Sequence, residues 1–182
     1  NHNISNTLAA IAVGMELNIE FSTIADALKN FSGVQRRFEI LHQTNSLVIV
    51  DDYGHHPAEI LATLATAKTV WPDRRLIVIF QPHRYSRTQY LLENFYSSFN
   101  DADKLILLDI YGAGEKPIEG INSLKLAKGI REFGHKNVEH IESIELLVPQ
   151  LKLSLQPGDI VLTLGAGNIG ELARKFAAEF RD

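Results

Sequence analysis

The sequence predicts an α/β fold: a doubly wound, mostly parallel, Rossmann-like sheet with helices on both faces, preceded by two helices from a truncated domain. Two observations lead to this prediction. Short, unbroken apolar runs of strand length alternate with amphipathic runs of ten or more residues. Four of the strand-like runs are followed directly by polar or glycine-rich residues. In open α/β sheets, such loops at the carboxyl ends of the strands form the ligand-binding edge.

Composition narrows the function classes. The 182 residues are 45% hydrophobic and 22% charged, with a formal charge of -4 and a pI near 6.0, so neither nucleic acid nor a membrane is expected as a partner. The chain has no cysteine, which excludes disulfides and thiolate metal sites and fits a reducing compartment. No apolar run reaches the length of a membrane span.

The first 33 residues are predicted to be helical. An alanine-rich run covers Ile4 to about Leu17, and Ser22 is a candidate N-cap of a second short helix that carries Ile24, Leu28 and Phe31 on one face. Two helices without a strand do not make a domain, and the chain does not begin with Met. We therefore expect residues 1–33 to be the C-terminal helical end of a preceding domain and residues 34–182 to be a complete second domain, with the break at Ser32-Gly33.

The second domain follows a regular order. Segments Phe38–His42 and Leu47–Val50 are predicted as paired strands around a turn near residues 44–46. The further predicted strands are Leu76–Phe80, Lys104–Ile110, Val138–Ile141 and Ile160–Leu164. Three of the helices are expected to begin near Pro57, Ser86 and Ser143. The helix after the strand Lys104–Ile110 is expected to carry Leu124, Ala127 and Ile130. The last helix is expected to carry Ile169, Leu172, Ala173, Phe176 and Phe180. Helix one is expected to bury Ile60, Leu61, Leu64 and Ala67.

The first two strand ends carry the densest polar chemistry. Two carboxylates, a phenol and two imidazoles occur within Asp51-Asp52-Tyr53-Gly54-His55-His56, before a proline typical of a first helical position. The next strand is followed by residues 81–88, which include His83. Arg84 and Arg87 lie three residues apart there, so they share a face at the positive end of a helix, which suits binding of a carboxylate or phosphate. A solvated arginine pair is the alternative.

The other two strand ends contain glycine-rich loops. Tyr111-Gly112-Ala113-Gly114-Glu115-Lys116-Pro117 is either a binding loop or a turn that needs glycine backbone angles. Residues 165–170 match the G-x-G-x-x-G dinucleotide pattern. The pattern belongs to the first strand-helix turn of a unit and needs an acidic residue about 20 positions on, whereas this one lies in the last unit. An anion-binding helix end is favoured over a nicotinamide or flavin site.

The histidines raise the question of a metal. His55, His56 and His83 are the candidate ligands, but adjacent histidines in a loop rarely bind one ion, and no helical His-x-x-x-His is present. A dedicated metal site is therefore not predicted, and imidazoles that orient a substrate are favoured. The absence of a Gly-x-Ser-x-Gly elbow gives no support to nucleophilic hydrolysis.

Five motifs occur together in a fixed order: His-Asn-x-x-Asn (2–6), Gly-Val-Gln-Arg-Arg-Phe-Glu (33–39), Asp-Asp-Tyr-Gly-His-His-Pro (51–57), Phe-Gln-Pro-His-Arg-Tyr-Ser-Arg-Thr (80–88) and Gly-Ala-Gly-Asn-Ile-Gly (165–170). In these motifs the whole chain closely resembles the Mur ligase family of bacterial peptidoglycan synthesis, and within it the members that add L-alanine to UDP-N-acetylmuramate. The resemblance implies the last helices of the family's central ATPase domain followed by its C-terminal domain. It also implies a cytoplasmic, ATP- and Mg2+-dependent ligase whose partners are its substrates and the other domains of the same polypeptide.

The resemblance also implies roles for individual residues. His2, Asn3 and Asn6 match the adenine-binding stretch. Arg37 and Asp52 match groups that contact the nucleotide, and catalytic roles are implied for both and for His55. Tyr53, His55, His83, Arg84 and Arg87 match the site of the incoming amino acid, with the arginines on its carboxylate. Only loop or supporting roles are expected for Asp51, His56, Glu115 and Asn168.

Missing motifs limit this interpretation, and other interpretations compete with it. No Gly-x-x-x-x-Gly-Lys-Ser/Thr loop and no magnesium-ligating segment of the central domain occurs in the sequence, so the chain is not expected to catalyse the reaction alone. A relative that attaches a recycled tripeptide to the same sugar is the alternative within the family, although its motifs lack the His-Arg-Tyr-Ser-Arg run. Outside the family, a non-catalytic anion-binding α/β module and a nicotinamide-dependent oxidoreductase remain as alternatives.

Overall fold

The computed structural model describes residues 2–31 and 33–180, apart from the side chains of His2, Asn3 and Ile144. Contacts divide the chain into two compact units, Asn1–Val34 and Gln35–Asp182.

The first unit is a helical pair formed by α1 (His2–Glu16) and α2 (Phe21–Lys29). The helices meet where Gly14 faces Ile24: a Cβ at Gly14 would lie 2.6 Å from the Ile24 side chain, so glycine allows the close approach. The expected cap at Ser22 is wrong. The helix begins one residue earlier, so Ser22 lies inside it, and Glu20 occupies the N-cap position without a side-chain hydrogen bond.

The second unit is built from six strands and six helices in the described part of the chain. They are β1 (Glu39–Gln43), β2 (Leu47–Asp52), α3 (Pro57–Val70), β3 (Leu76–Phe80), α4 (Tyr85–Tyr90), α5 (Leu92–Tyr96), β4 (Lys104–Leu108), α6 (Ser123–Glu132), β5 (Val138–Ile141), α7 (Ile144–Ser154), β6 (Asp159–Leu164) and α8 (Ile169–Ala178).

These strands form one sheet in the order β1-β2-β6-β3-β4-β5. Only the β1–β2 pair is antiparallel, and all other neighbours run parallel. The last strand therefore lies inside the sheet between β2 and β3, with Asp51 paired to Thr163 and Phe80 paired to Leu164. Because these central strands are parallel, their carboxyl ends and the loops that follow them meet at one edge.

Helices cover both faces of the sheet, as the predicted doubly wound fold requires. Since alternate strand residues point to opposite faces, each strand supplies two layers. On β2, Val48 and Val50 join one core with α3, α5 and α6, whereas Leu47 and Ile49 join a second core with α7 and α8. This alternation continues into the two residues at the end of β2 and decides what Asp51 and Asp52 contact.

Most predicted elements are confirmed, but the burial of two helix residues and the extent of one helix were predicted wrongly. Leu61 and Leu124 are 46% and 59% exposed, so they do not face the core. The helix expected from Ser86 begins at Tyr85 and is interrupted at Leu91, which gives α4 and α5. Ser143 caps α7 as predicted, accepting a 3.4 Å hydrogen bond from Leu146 N.

Candidate active site at the carboxyl edge of the sheet

The loops after β2, β6, β3 and β4 converge at the carboxyl edge of the sheet. Backbone hydrogen bonds join them: Gly165 N donates to Asp52 O at 3.2 Å, Gln81 N donates to Leu164 O at 3.0 Å, and Arg84 N donates to Tyr111 O at 2.8 Å. The four polar strand ends found in the sequence therefore form one continuous surface.

Arg36 connects two of these loops through a half-buried guanidinium. Its Nε donates to Asp51 Oδ2 at 2.9 Å, Nη1 donates to Gly167 O at 3.2 Å, and Nη2 donates to Gly165 O. Its Cζ also lies 5.1 Å from the centre of the Tyr53 ring, within the range of a cation–π contact. Each of the three nitrogens of this guanidinium thus donates a hydrogen bond within the protein.

Asp51 and Asp52 are both buried, but they point to opposite faces of the sheet. Asp51 is fully buried, and it accepts from Arg36 and, at 2.7 Å, from the Thr163 hydroxyl on the neighbouring strand. Asp52 accepts from Phe38 N and Gly54 N, both at 2.7 Å, and from the Thr63 hydroxyl at 3.4 Å. Asp51 therefore holds the side chains of Arg36 and Thr163 on one side of the strand, and Asp52 holds the backbone at Phe38 and Gly54 on the other side.

The loop after β2 is closed by a capping box at the start of α3. Glu59 Oε2 accepts from His55 N at 3.0 Å and from His56 N at 3.2 Å, while His56 Nδ1 accepts from Ala58 N at 3.3 Å. Burial alone would raise the pKa of Glu59, but these two amides, together with the charges of His55 and Arg37, hold that pKa below its ordinary value. Glu59 therefore stays ionised and holds the loop in place.

Tyr53 and His55 remain accessible on this rigid loop. Tyr53 is 37% exposed, and its ring meets that of His55 edge to face with centroids 5.4 Å apart. His55 Nδ1 lies 3.0 Å from the Tyr53 carbonyl oxygen, which can only accept, so Nδ1 is the donor. The Nε2 atom of a neutral His55 then carries the lone pair.

The loop after β3 places His83, Arg84 and Arg87 beside His55. The rings of His55 and His83 are 5.9 Å apart. Arg84 has φ 72° and ψ 135°, a conformation that costs a residue with a side chain about 1–3 kcal/mol and is concentrated at functional sites. Its backbone is held on both sides, by Tyr111 O and by the Thr88 hydroxyl, and among the described residues its exposed guanidinium has no hydrogen-bond partner.

Arg87 is instead fastened to His83. Its Nη1 donates to the His83 carbonyl at 3.2 Å and to His83 Nδ1 at 3.0 Å. Burial lowers the pKa of His83, and the positive charges of Arg87 and Arg84 lower that pKa further, as a protonated His55 also would, while Glu115 opposes them. His83 is therefore neutral at pH 7, and because Nδ1 accepts, its proton is on Nε2.

The loop after β4 contributes Tyr111 and Glu115. The Tyr111 ring stacks on His83 with an interplanar angle of 17° and centroids 5.7 Å apart. Glu115 accepts from Ser86 N at 3.0 Å and from the Ser86 hydroxyl at 2.7 Å at the start of α4. These backbone and hydroxyl bonds from Ser86 lower the pKa of Glu115, so this loop supports the arginine-bearing helix.

The glycine-rich loop at residues 165–170 is used for packing. A Cβ at Gly167 would clash with Gln81 Oε1 and lie 2.8 Å from Tyr111 Cγ. Gln81 also closes the start of α8, since its Oε1 accepts from Ile169 N at 3.2 Å and its Nε2 donates to Asn168 Oδ1 at 2.8 Å. With Gly165 O and Gly167 O both turned to Arg36, the loop geometry favours neither the dinucleotide nor the anion alternative.

The structure brings together all five residues expected at the amino-acid site: Tyr53, His55, His83, Arg84 and Arg87. Arg37 is exposed, with its Cζ 5.9 Å from the Tyr53 ring centre. Asn6 is exposed on α1 in the first unit, whereas the side chains of His2 and Asn3 lie outside the described residues.

Sequence reasoning missed three residues that hold this surface together: Arg36, Gln81 and Tyr111. Each stands in a motif that the sequence singled out, but their partners lie up to 131 positions away. For Tyr111, its place at the start of a glycine-rich loop was the available signal.

Two searches of the described residues are negative. In residues 2–31 and 33–180, no three His, Asp or Glu side chains come close enough to hold a metal ion. None of the helices in the same ranges is long and apolar enough to cross a membrane.

Comparison with known families gives a match over most of the chain. A model of the family described as "Mur ligase, glutamate ligase domain" matches residues 36–167. The UDP-N-acetylmuramate–L-alanine ligase of Desulforapulum autotrophicum is 54% identical over 171 residues, which are 94% of this chain and 38% of that protein. The chain thus spans about two-fifths of the length of the curated relatives it matches.

Two solved structures are also similar to this chain. The UDP-N-acetylmuramate–alanine ligase of Thermotoga maritima matches with a TM-score of 0.79 and 30% identity over 98% of this chain and 37% of that one. A murein peptide ligase from Psychrobacter arcticus matches with a TM-score of 0.68 and 23% identity over 97% of this chain and 36% of that one. At this lower identity the second match shows a shared fold only.

Proposed function

Since the chain belongs to the Mur ligase family, we propose that it is part of a ligase that adds L-alanine to UDP-N-acetylmuramate with ATP in cytoplasmic peptidoglycan synthesis. The second unit is the family's C-terminal domain, and residues 1–33 are the last helices of the central ATP-binding domain. Support comes from relatives named for this activity that are about half identical to the chain along nearly its whole length. It also comes from the exposed apolar side chains of the first unit, such as Leu8 and Val13.

The observation that carries the proposal is that the two arginines at the carboxyl edge differ in their hydrogen bonds. Arg84 has a strained backbone, and its exposed guanidinium has no hydrogen-bond partner among the described residues. Arg87, three residues further along the chain, is instead hydrogen-bonded to His83. A carboxylate would give the Arg84 guanidinium the charge-assisted bonds that it lacks. The cluster is small and bounded by the rings of Tyr53 and Tyr111, which suits a free amino acid.

In the proposed reaction, ATP converts the muramate carboxylate to an acyl phosphate, and the amine of L-alanine then displaces phosphate. The part played by this chain is to hold the amino acid by its carboxylate so that the amine points outward to the acyl group. Positioning of this kind turns an encounter of two molecules into a step within one complex and is a large source of rate enhancement. His55, next to Tyr53 on the loop after β2, is the group that we expect to face this amine.

Nucleotide contacts are assigned more narrowly. Arg37 is exposed and suits the phosphates of ATP. Asp52 is 7% exposed, with its oxygens bound to Phe38 N, Gly54 N and the Thr63 hydroxyl. Its proposed effect on the nucleotide is therefore to set the position of Arg37 through the neighbouring Phe38 backbone. An adenine contact by Asn6, together with His2 and Asn3, stays a prediction of the resemblance.

Mg2+ is not assigned to residues of this chain. In Asp51 and Asp52, at the end of β2, both carboxylate oxygens already accept hydrogen bonds from within the protein. The described residues therefore do not fit a resident magnesium site, and no step above is assigned to a metal held by them.

The test is phosphate release by the whole ligase with ATP, Mg2+ and UDP-N-acetylmuramate, with L-alanine and then the tripeptide as acceptor. We expect alanine-dependent turnover, and we expect Arg84→Ala to raise the KM for alanine by about 10- to 100-fold through loss of a charge-assisted contact. The KM for ATP should change little, because Arg84 is assigned to the amino acid alone.

Lys128→Ala is the matched control, since it removes an exposed cation from α6, away from the carboxyl edge. Its alanine KM should equal that of the wild type. Turnover only with the tripeptide would move the chain to the recycling ligases. Absence of turnover with both acceptors would favour a non-catalytic anion-binding module.

A further inference from the structure

The two imidazoles of the candidate site are held in different ways, although their rings are only 5.9 Å apart. Nδ1 of His83 lies 3.0 Å from Arg87 Nη1. Because a guanidinium has donors and no acceptor, Nδ1 must accept, and the single proton of a neutral His83 is on Nε2. His55 is the reverse case: Nδ1 lies 3.0 Å from the Tyr53 carbonyl oxygen, which only accepts, so Nδ1 carries the proton.

We propose that Arg87 and the Tyr53 carbonyl lock His83 and His55 in opposite tautomers, so that His83 offers a hydrogen-bond donor and His55 an acceptor to the incoming amino acid. A free amino acid carries a carboxylate, which needs donors, and an amine, which needs an acceptor. The pair therefore sets the direction in which the amino acid lies, with its carboxylate toward His83 and Arg84 and its amine toward His55. This inference rests on the proposed function and adds the orientation of the substrate to it.

Other contacts keep each ring in its place. Tyr111 N donates to Pro82 O and Tyr111 O accepts from Arg84 N, both at 2.8 Å, so the Tyr111 backbone is bonded on either side of His83. The stacked Tyr111 ring then fixes the plane of the His83 imidazole. His55 is fixed through its own backbone N–H, which donates to Glu59 Oε2, and through the edge of the Tyr53 ring.

The charges around His83 keep it a neutral donor. Arg87, Arg84 and His55 face it with positive charge or the capacity for it, and Glu115 is the opposing carboxylate. Burial and the two arginines lower the pKa of His83, so the ring does not acquire a proton on Nδ1 near neutral pH. The tautomer lock therefore holds under the conditions in which a ligase works.

The first experiment reads the tautomers directly, without catalysis. Long-range 15N–1H correlation spectra of this chain, labelled with 15N-histidine at pH 7.5, distinguish Nδ1–H from Nε2–H imidazoles. We expect His83 to be in the Nε2–H form and His55 in the Nδ1–H form. Arg87→Met should convert His83 to a mixture of tautomers, whereas Arg84→Met, which removes an equal charge from the same loop but no bond to Nδ1, should leave the His83 tautomer unchanged.

The second experiment reads the donor in the whole ligase. A glutamine amide places an N–H near the Nε2 position of histidine, while an asparagine amide reaches only the Nδ1 position. We expect His83→Gln to have an alanine KM about tenfold below that of His83→Asn, the worth of one hydrogen bond to a charged group, with similar KM values for ATP. A merely structural role for His83 would not separate these two variants in this way.

The outcomes are distinct. The same tautomer in both histidines, no change in Arg87→Met, or equal alanine KM values in the two His83 variants would each overturn the inference. Opposite tautomers in a wild-type ligase that shows no alanine-dependent turnover would overturn the proposed function and the alanine assignment with it, while leaving the spectroscopic result intact.

Discussion

Two polar regions lie side by side at the carboxyl edge of the sheet, and they differ in how their hydrogen bonds are used. The supporting region, which consists of Arg36, Asp51, Asp52 and the 165–167 loop, has its charged groups bonded inside the protein. The open region, which consists of Tyr53, His55, His83, Arg84 and Arg87, leaves the Arg84 guanidinium and the outer imidazole nitrogens available. Among polar groups of the same types, the unsatisfied ones mark the binding surface and the satisfied ones mark its support.

This difference has a physical origin. A buried charge must be paired, because an unpaired one loses its hydration without compensation, so Asp51 needs Arg36 and Thr163 in order to be buried at all. An exposed guanidinium keeps its water and costs nothing to leave free. The supporting region should therefore control stability, and the open region should control ligand binding.

The largest expected effect is that of Arg36→Met. The change leaves the fully buried Asp51 and two backbone carbonyls without their donor, so the free energy of unfolding of the second unit should fall by about 3–5 kcal/mol. Urea unfolding at pH 7 measures it. The fluorescence of Trp71, the one tryptophan of the sequence, reports on this unit because Trp71 stacks on Phe38.

Arg84→Met is the matched variant in the open region and should change the free energy of unfolding by less than about 0.5 kcal/mol. Arg36→Lys, which keeps the charge but loses the fork of donors, should fall between the two. Equal losses in Arg36→Met and Arg84→Met would remove the distinction between a supporting region and an open one.

Asp52→Asn comes next in size. The amide has one acceptor oxygen where the carboxylate has two, so either Phe38 N or Gly54 N loses its partner and meets an N–H group instead. The expected loss is about 1–3 kcal/mol in the free energy of unfolding, measured through the same Trp71 signal. Asp73→Asn, a change on the exposed turn before β3, is the control and should lie within about 0.5 kcal/mol of the wild type. If Asp52→Asn were as stable as this control, a direct role of Asp52 on the nucleotide would be the better account.

The fold could be predicted because its signals are local. Strand β3 is an unbroken apolar run of five residues, and α3 is announced by a proline at its first position. The prediction of buried helix residues failed at Leu61 and Leu124. Both fit the apolar spacing of their helices, but both are exposed, because the apolar face of each helix is wider than the surface that packs against the sheet. The break at Leu91 also left no mark in the composition.

The site was predictable in part for the same reason. His83, Arg84 and Arg87 fall within five residues and could be grouped from the sequence, together with the polar end of β2. Arg36 could not be separated from Arg37 in this way, because its partner carbonyls belong to the loop after a strand that is last in the chain and third in the sheet. Strand order, which burial and packing decide, determines which of two adjacent arginines is bonded inside the protein.

The smallest expected effect is on how stability depends on pH. It compares two histidines whose pKa values are lowered mainly by burial, His83 in the open region and His135 in the core. His135 is 7% exposed, and among the described residues its Nε2 has no hydrogen-bond partner; Nδ1 accepts from Asn137 N at 3.2 Å, while nearby backbone and Asp103 oppose the effect of burial. Each histidine binds a proton more weakly in the folded than in the unfolded chain. Between the lowered pKa and the unfolded value near 6.5 the unfolded state therefore holds more protons, and stability rises with pH.

The stabilisation is fully present above pH 6.5 and is lost as the pH falls through the folded pKa of each histidine. Urea unfolding from pH 7.5 to pH 5 should show this slope in the wild type, and the slope should be reduced more by His135→Gln than by His83→Gln, because the less exposed ring loses more hydration when it is charged. The slope is compared within each variant, so a general loss of stability in His135→Gln does not affect the result. A greater reduction in His83→Gln would mean that the cations around His83 outweigh burial, and the open region would then contribute to stability as the supporting region does.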